Sequence, residues 1–126
     1  MIQVQKIPSL HTDSRGIISL LKEIQGDVTS VLLITSNKGS IRANHYHKRD
    51  THWTYLLSGK FRYSEKPMGR SDKIETVTIH PGDMVVSRPN MVHAMKFLND
   101  SVMIVCTTEK RNQKNYETDT VRVKLV

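Results

Sequence analysis

The chain contains a single cysteine, Cys106, so no internal disulfide staples it. That thiol falls in the apolar run Val102-Met103-Ile104-Val105-Cys106, where it reads as a buried, inert side chain rather than a nucleophile. A lone cysteine suits a reducing compartment, and the cytoplasm is the expected location. No stretch approaches the roughly 18 consecutive apolar residues of a membrane-spanning helix, so no membrane partner is expected. The opening residues, Met1-Ile2-Gln3-Val4-Gln5-Lys6-Ile7-Pro8, lack a charged segment leading into an apolar one, and no signal peptide is expected. A sustained helical stripe is missing as well. What remains is one soluble domain of 126 residues, long enough for a single core.

Negative charge is the scarcer sign: 12 Asp and Glu stand against 19 Lys and Arg, a formal net charge of +7. Nucleic acid would want clustered cations interleaved with aromatics. Here the basic residues are scattered, with only short groups such as Lys48-Arg49 and Lys110-Arg111, so nucleic acid is not expected. A small anionic ligand would use a few of these cations, and the rest would form a solvated surface.

Short apolar runs separated by turn residues dominate the chain. They predict strands over Ile17–Leu21, Val28–Thr35, Thr54–Leu57, Phe61–Tyr63, Ile74–Ile79, Met84–Val86, Val102–Thr107 and Val121–Val126. Turn chemistry sits between them, as in Asp13-Ser14-Arg15-Gly16, Ser58-Gly59-Lys60 and His80-Pro81-Gly82-Asp83. Many short strands at this spacing imply a β-sandwich or barrel. Residues Glu65–Lys73 read as the longest mid-chain loop. The polar tail from Glu109 to Thr120 reads equally as an extended arm or a short helix.

Four histidines stand out: His45, His47 and His52 in one stretch, and His93 further on. Strand side chains alternate between faces, so His45 and His47 share a face. If His52 begins the next strand, Thr54 and Leu56 share its face, with Trp53 and Tyr55 on the other. His93 shares a face with Met95 and Phe97. Neutral imidazole is the commonest transition-metal ligand, and convergence of these side chains would build a metal site on an inward, partly apolar surface. His11 and His80 have no such context and read as surface or turn residues.

The spacing resembles the two signature motifs of the cupin superfamily. The first runs Gly, five residues, His-x-His, three or four residues, Glu, six residues, Gly. Gly39, His45, His47 and Gly59 match it, and His52 stands where the family has glutamate. In the second motif Gly82 and His93 match, while Arg88, Asn90 and Phe97 replace Pro, Gly and Asn. The resemblance implies an all-β, single-domain jelly-roll barrel (a double-stranded β-helix) over residues 1–126. Its barrel core would span about 35–106, with an N-terminal strand arm at 1–8 and a C-terminal extension at 109–126. It implies a divalent transition metal held by His45, His47, His52 and His93, with Zn, Ni, Fe and Cu all open. A fourth imidazole in place of a carboxylate leaves the ion its full charge. Small cupins are typically dimers that often exchange an N-terminal strand, so a homodimer using Met1–Ile7 is expected, and Trp53 and Tyr55 would suit a partner surface.

Asp13-Ser14-Arg15-Gly16 and Arg42-Ala43-Asn44-His45-Tyr46 are similar to segments of the nucleotide-sugar cupins, including 3,5-epimerases and 3,4-ketoisomerases. Ala43 replaces a glycine of that pattern. His93-Ala94-Met95, Val102–Thr107 and Tyr116 are also similar to the ketoisomerase group. This implies an isomerase or epimerase acting on an anionic nucleotide-sugar or carbohydrate substrate. His45 or His47 would be the base and Tyr46, Tyr55 or Tyr63 the acid. Arg15, Arg42 and Arg88, with Tyr46, would bind substrate, since guanidinium groups pair phosphate oxygens bidentately. A metal-bound imidazole has no lone pair left for a proton, so the metal and base roles compete. The alternatives are a metal-dependent dioxygenase and a non-enzymatic sugar- or small-molecule-binding module.

Overall fold

The computed structural model describes residues 2–21, 24–69 and 73–126. In chain order the strands are β1 (Val4–Lys6), β2 (Ser9–Asp13), β3 (Gly16–Ser19), β4 (Ser30–Ser36), β5 (Ile41–His47) and β6 (His52–Ser58). They continue with β7 (Phe61–Pro67), β8 (Glu75–Ile79), β9 (Asp83–Ser87), β10 (Met91–Phe97) and β11 (Ser101–Thr107). The chain then forms helix α1 (Gln113–Asp119) and strand β12 (Thr120–Arg122). Among the described residues no helix is long and apolar enough to cross a membrane.

Ten strands form two antiparallel five-stranded sheets, ordered β1-β9-β6-β11-β4 and β12-β5-β10-β7-β8. Both contribute to one core, in which Leu56, Val85, Met103 and Val105 of the first sheet meet Phe61, Tyr63, Ile79, Met95 and Phe97 of the second. This is the all-β jelly roll the sequence implies. Strands β2 and β3 form a separate hairpin whose Leu10, Ile17 and Ile18 side chains are exposed.

Strand ends moved where polar residues hide the alternation. β7 runs on from Tyr63 to Pro67, because inward-facing Glu65 and its neighbours pair with both β8 and β10. The predicted loop at Glu65–Lys73 therefore begins with strand, and residues 70–72 of it lie outside the described residues, as does Met1 of the N-terminal arm. β1 pairs with β9 of its own chain. Trp53 and Tyr55 do face away from the core, but Trp53 is buried in a second cluster with Met84 and Val86, against which Ile7 and Ile24 pack. The polar tail resolves into helix α1, capped by the Asn112 side chain accepting from the Asn115 backbone N–H.

A bulge in β5 sets up the site. His93 lies opposite His45, yet the next pair is Ala94 with Ala43, leaving Asn44 as the extra residue. Ala43 and Asn44 both take left-handed backbone, at φ 71° and 55°. This extra residue resets the alternation, so Arg42 and His45, three apart, line the same cavity. Asn44 then secures the chain end: its Oδ1 accepts from the N–H groups of Leu125 and Val126 at 2.8 and 3.1 Å.

Candidate functional site

His45 and His47 project from β5, His93 from β10 beside it, and His52 from the start of β6 in the opposite sheet. One nitrogen from each of His45, His47 and His93 falls within 4.8 Å of the others. His52 belongs to a second such group, with His47 and Asp50. His47 is thus shared by the two groups. His45, His47 and His93 are 8, 2 and 2 % exposed.

Burial keeps these imidazoles neutral. Desolvation is the main cause for each, reinforced by the neighbouring histidines, and it pulls His45 down to about 2, His47 to about 4 and His93 to about 3. Asp50 and Asp119 partly offset the fall at His47.

The hydrogen bonds around each ring fix which nitrogen keeps a lone pair. His93 donates Nδ1–H to the Met91 carbonyl oxygen at 3.1 Å, leaving Nε2 as its lone-pair nitrogen. His47 places Nδ1 at 3.2 Å from the Thr120 hydroxyl and 3.7 Å from an Asp119 carboxylate oxygen. Its Nε2 is fully buried and has no hydrogen-bond partner. An orphaned buried acceptor costs about 1–3 kcal/mol, so this atom marks a position where a ligand group belongs. His52 gives Nε2 to Asp50 at 2.7 Å.

His45, His52 and His93 open onto a cavity of about 110 Å³ walled by Leu32, Ile34, Thr54, Met95, Met103 and Val105, and His47 packs against the first two rings without lining it. Arg42, Arg111 and Tyr116 line it as well. Arg42 is braced by the Ser36 hydroxyl at 2.7 Å and the Thr35 carbonyl at 2.9 Å. The Arg111 guanidinium lies over the Tyr116 ring, 4.0 Å from its centroid. The Tyr116 hydroxyl stands 3.4 Å from His45 Nδ1. Among the described residues neither arginine forms an ion pair with a carboxylate. Both also border an open shelf along β4 formed by Val31, Leu33 and Thr35.

Other expected site residues lie elsewhere. Arg15 sits at the β2–β3 turn, bonded to Asp13 at 2.7 Å, in a separate depression shared with His11. Arg88 donates to the Gln3 side chain at 2.8 Å on the outer side of β9. Tyr46 pairs with Val121 on β12, and Tyr55 borders the Trp53 cluster. Tyr63 points inward but donates to Glu65 at 3.0 Å, beside the Ser87 hydroxyl at 2.9 Å. Burial drives its phenol well above the ordinary value. Burial likewise raises the Cys106 thiol.

Sequence reading missed Asp50, Asp119 and Arg111, and did not assign Tyr116 a role. The signal for three of them was the polar tail, whose composition suits a segment that closes over a polar site.

The imidazole set fits a transition-metal ion. Three ligand atoms converge, one is orphaned and buried, and His93 is oriented by a backbone carbonyl as metal-bound histidines usually are.

The chain belongs to the cupin family: the family model for the Cupin domain matches residues 32–108. No curated protein sequence matches the chain. Among solved structures it is similar to a QdtA 3,4-ketoisomerase variant from Thermoanaerobacterium thermosaccharolyticum in complex with TDP, with 24% identity and a TM-score of 0.79. That match covers 96% of this chain and 86% of the other. It is also similar to the WlaRB TDP-quinovose 3,4-ketoisomerase from Campylobacter jejuni, with 17% identity and a TM-score of 0.81, covering 96% of this chain and 92% of that one. A third likeness is to the capsular polysaccharide assembling protein CapF from Staphylococcus aureus, with 22% identity, a TM-score of 0.71, and coverage of 94% and 32% respectively. At these identities the likeness establishes the fold.

Proposed function

We propose that the protein isomerises a keto sugar carried on a nucleoside diphosphate. The observation that carries this reading is a cavity lined by His45, His52 and His93 and by Arg42 and Arg111, neither arginine having a carboxylate partner among the described residues. The His45 and His52 rings pack against His47, whose buried Nε2 is orphaned. A cavity of about 110 Å³ takes only the reacting edge of a sugar ring. The remainder of the ligand would lie along the mouth, with the diphosphate between Arg42 and Arg111 and the base on the Val31–Leu33 shelf. The likeness to the QdtA 3,4-ketoisomerase in complex with TDP and to the WlaRB TDP-quinovose 3,4-ketoisomerase supports the same reading.

Moving a ketone to the adjacent carbon requires removal of the proton on the hydroxyl-bearing carbon, an enediol intermediate and reprotonation at the former carbonyl carbon. His47 Nε2 is the base, with Nδ1 turned toward Thr120 and Asp119 so that the imidazolium formed is stabilised from behind. The Tyr116 hydroxyl donates to the oxygen on which charge develops. The apolar wall of Leu32, Ile34 and Met103 excludes water and preserves the enediol.

A second reading rests on the convergence of His45, His47 and His93 within 4.8 Å. In it these residues hold a divalent Zn, Ni, Fe or Cu ion, which would supply Lewis-acid stabilisation of an enolate oxygen or open positions for a dioxygenase substrate. The two readings compete for the lone pair of His47 Nε2. Metal analysis of gently purified protein separates them: about one equivalent of metal supports the second, whereas below about 0.1 equivalent with no rebinding rejects it.

The experiment for the first reading is incubation with TDP-4-keto-6-deoxyglucose and separation of the products. A 3-keto isomer is expected. Recovery of unchanged substrate, under conditions where TDP binds, rejects the isomerase.

A further inference from the structure

We propose that Asp50 is a positioning residue that fixes both walls of the cavity at once, the His52 imidazole on one side and the C-terminal segment 108–119 on the other. Asp50 sits in the turn between β5 and β6 and is 6 % exposed. Its two carboxylate oxygens have divided tasks. Oδ1 accepts from the backbone N–H groups of Thr108 and Glu109, both at 3.0 Å, and from the Thr108 hydroxyl at 3.1 Å. Oδ2 accepts from His52 Nε2 at 2.7 Å. An ionised carboxylate can only accept, so the proton of His52 is held on Nε2 and its Nδ1 is left as the lone-pair nitrogen. These bonds together hold Asp50 below its ordinary carboxylate value despite burial.

The segment tied at Thr108 and Glu109 is the one that carries Arg111 and Tyr116 over the imidazoles. Its far end returns to the same turn: Asp119 accepts from the backbone N–H groups of Arg49 and Asp50, at 2.8 and 3.2 Å. A loop anchored at both ends on one turn has little freedom to withdraw its side chains from the cavity. Asp50 thus links the orientation of a site histidine to the placement of the two side chains that complete the mouth. Nothing in this linkage depends on which ligand the cavity takes; only the TDP-binding arm of the test rests on the reading above.

The test uses the full chain with ¹⁵N-labelled histidine, comparing wild type with D50N and D50A. In wild type, NMR at pH 8 is expected to find the His52 proton on Nε2. Asp50→Asn keeps an oxygen toward Thr108 and Glu109 but turns an NH₂ donor toward His52. The proton is therefore expected to move to Nδ1, with exchange of the Thr108 and Glu109 amides raised no more than about tenfold. D50A should speed exchange of both amides by about a hundredfold and expose Lys110 and Arg111 to trypsin. It should also weaken TDP binding by about tenfold, whereas D50N changes it little. A His52 tautomer unaltered in D50N overturns the proposal, as does unaltered amide exchange in D50A. D50N preserves shape, so its two readouts decide the matter even if D50A does not fold. Failure of wild type to bind TDP would reject the functional reading alone, because the tautomer and exchange results judge Asp50 without it.

Discussion

The Nδ1 atom of His47 lies 3.2 Å from the hydroxyl of Thr120, at the junction of α1 and β12, and this contact leaves Nε2 as the unpartnered nitrogen of the ring. The C-terminal segment therefore orients the histidine that the account makes the base. Replacing His47 with Asn should reduce turnover by about 10²–10⁴-fold, the usual worth of a positioned base. TDP affinity should change little, since the proposed diphosphate site is formed by Arg42 and Arg111 rather than by His47. Steady-state kinetics beside calorimetric TDP titration checks this split; a loss confined to KM would contradict it.

Arg111 should behave in the opposite manner. Arg111→Ala removes a cation from the mouth and the support beneath the Tyr116 ring. A charge-assisted contact is worth about 1.5–3 kcal/mol, so TDP binding should weaken by about 10–100-fold. Raising the salt concentration should narrow the difference between variant and wild type. Equal affinities at low salt would remove Arg111 from the ligand site.

Stability should fall as the pH drops below about 6.5. His45, His47 and His93 are held far below 6.5 by burial, at about 2, 4 and 3. Between pH 6.5 and about 4 the unfolded chain takes up protons that the folded chain refuses. The unfolded state then binds more protons, so unfolding free energy rises with pH, by up to about 1.4 kcal/mol per pH unit for each such group. The stabilising contribution is complete above pH 6.5 and is lost progressively on acidification. Burial raises Glu65, which acts with the opposite sign, but it is one group against three. Urea midpoints at pH 7, 6 and 5 should decline in that order, with a shallower slope in H93Q. A flat profile would contradict the buried neutral cluster.

Gly59 is required by space as well as by backbone. It takes φ 96°, and a Cβ there would collide with Ser101 and the Asp100 carbonyl oxygen. Both obstacles belong to the turn into β11, and backbone cannot shift cheaply. Gly59→Ala should therefore destabilise by several kcal/mol, about the size of a strained and overpacked site. A thermal midpoint within about 2 °C of wild type would refute this.

Exposed apolar side chains on the β2–β3 hairpin, among them Leu10, Ile17 and Ile18, are expected to be covered by a second copy of the chain. Light scattering at micromolar concentration should report a dimer. A monomer would contradict the expectation.

Much of this was legible in the sequence because it depends on fixed spacings. His45, His47 and His93 fall on the paired strands β5 and β10, with Gly39, Gly59 and Gly82 in turns, and strand parity turned the histidines inward. The same parity could not bring Arg42 into the cavity, because the bulge at Ala43 and Asn44 breaks the alternation without any proline or glycine to announce it. β7 was cut short for a related reason: Glu65 reads as a loop residue, yet it is buried opposite His93 and bonded to Tyr63. Asp50 and Asp119 act through contacts separated by 58 to 70 residues, which no local pattern encodes. The placement of Arg111 and Tyr116 follows from those contacts, so the mouth of the site emerges only from the folded chain.

Solvent-deuterium incorporation tests the central claim most directly. Wild-type protein in D₂O with TDP-4-keto-6-deoxyglucose should place deuterium on a ring carbon next to the carbonyl as the 3-keto isomer forms, and H47N should abolish both. Bound nucleotide sugar with neither deuterium incorporation nor isomer formation would contradict the account.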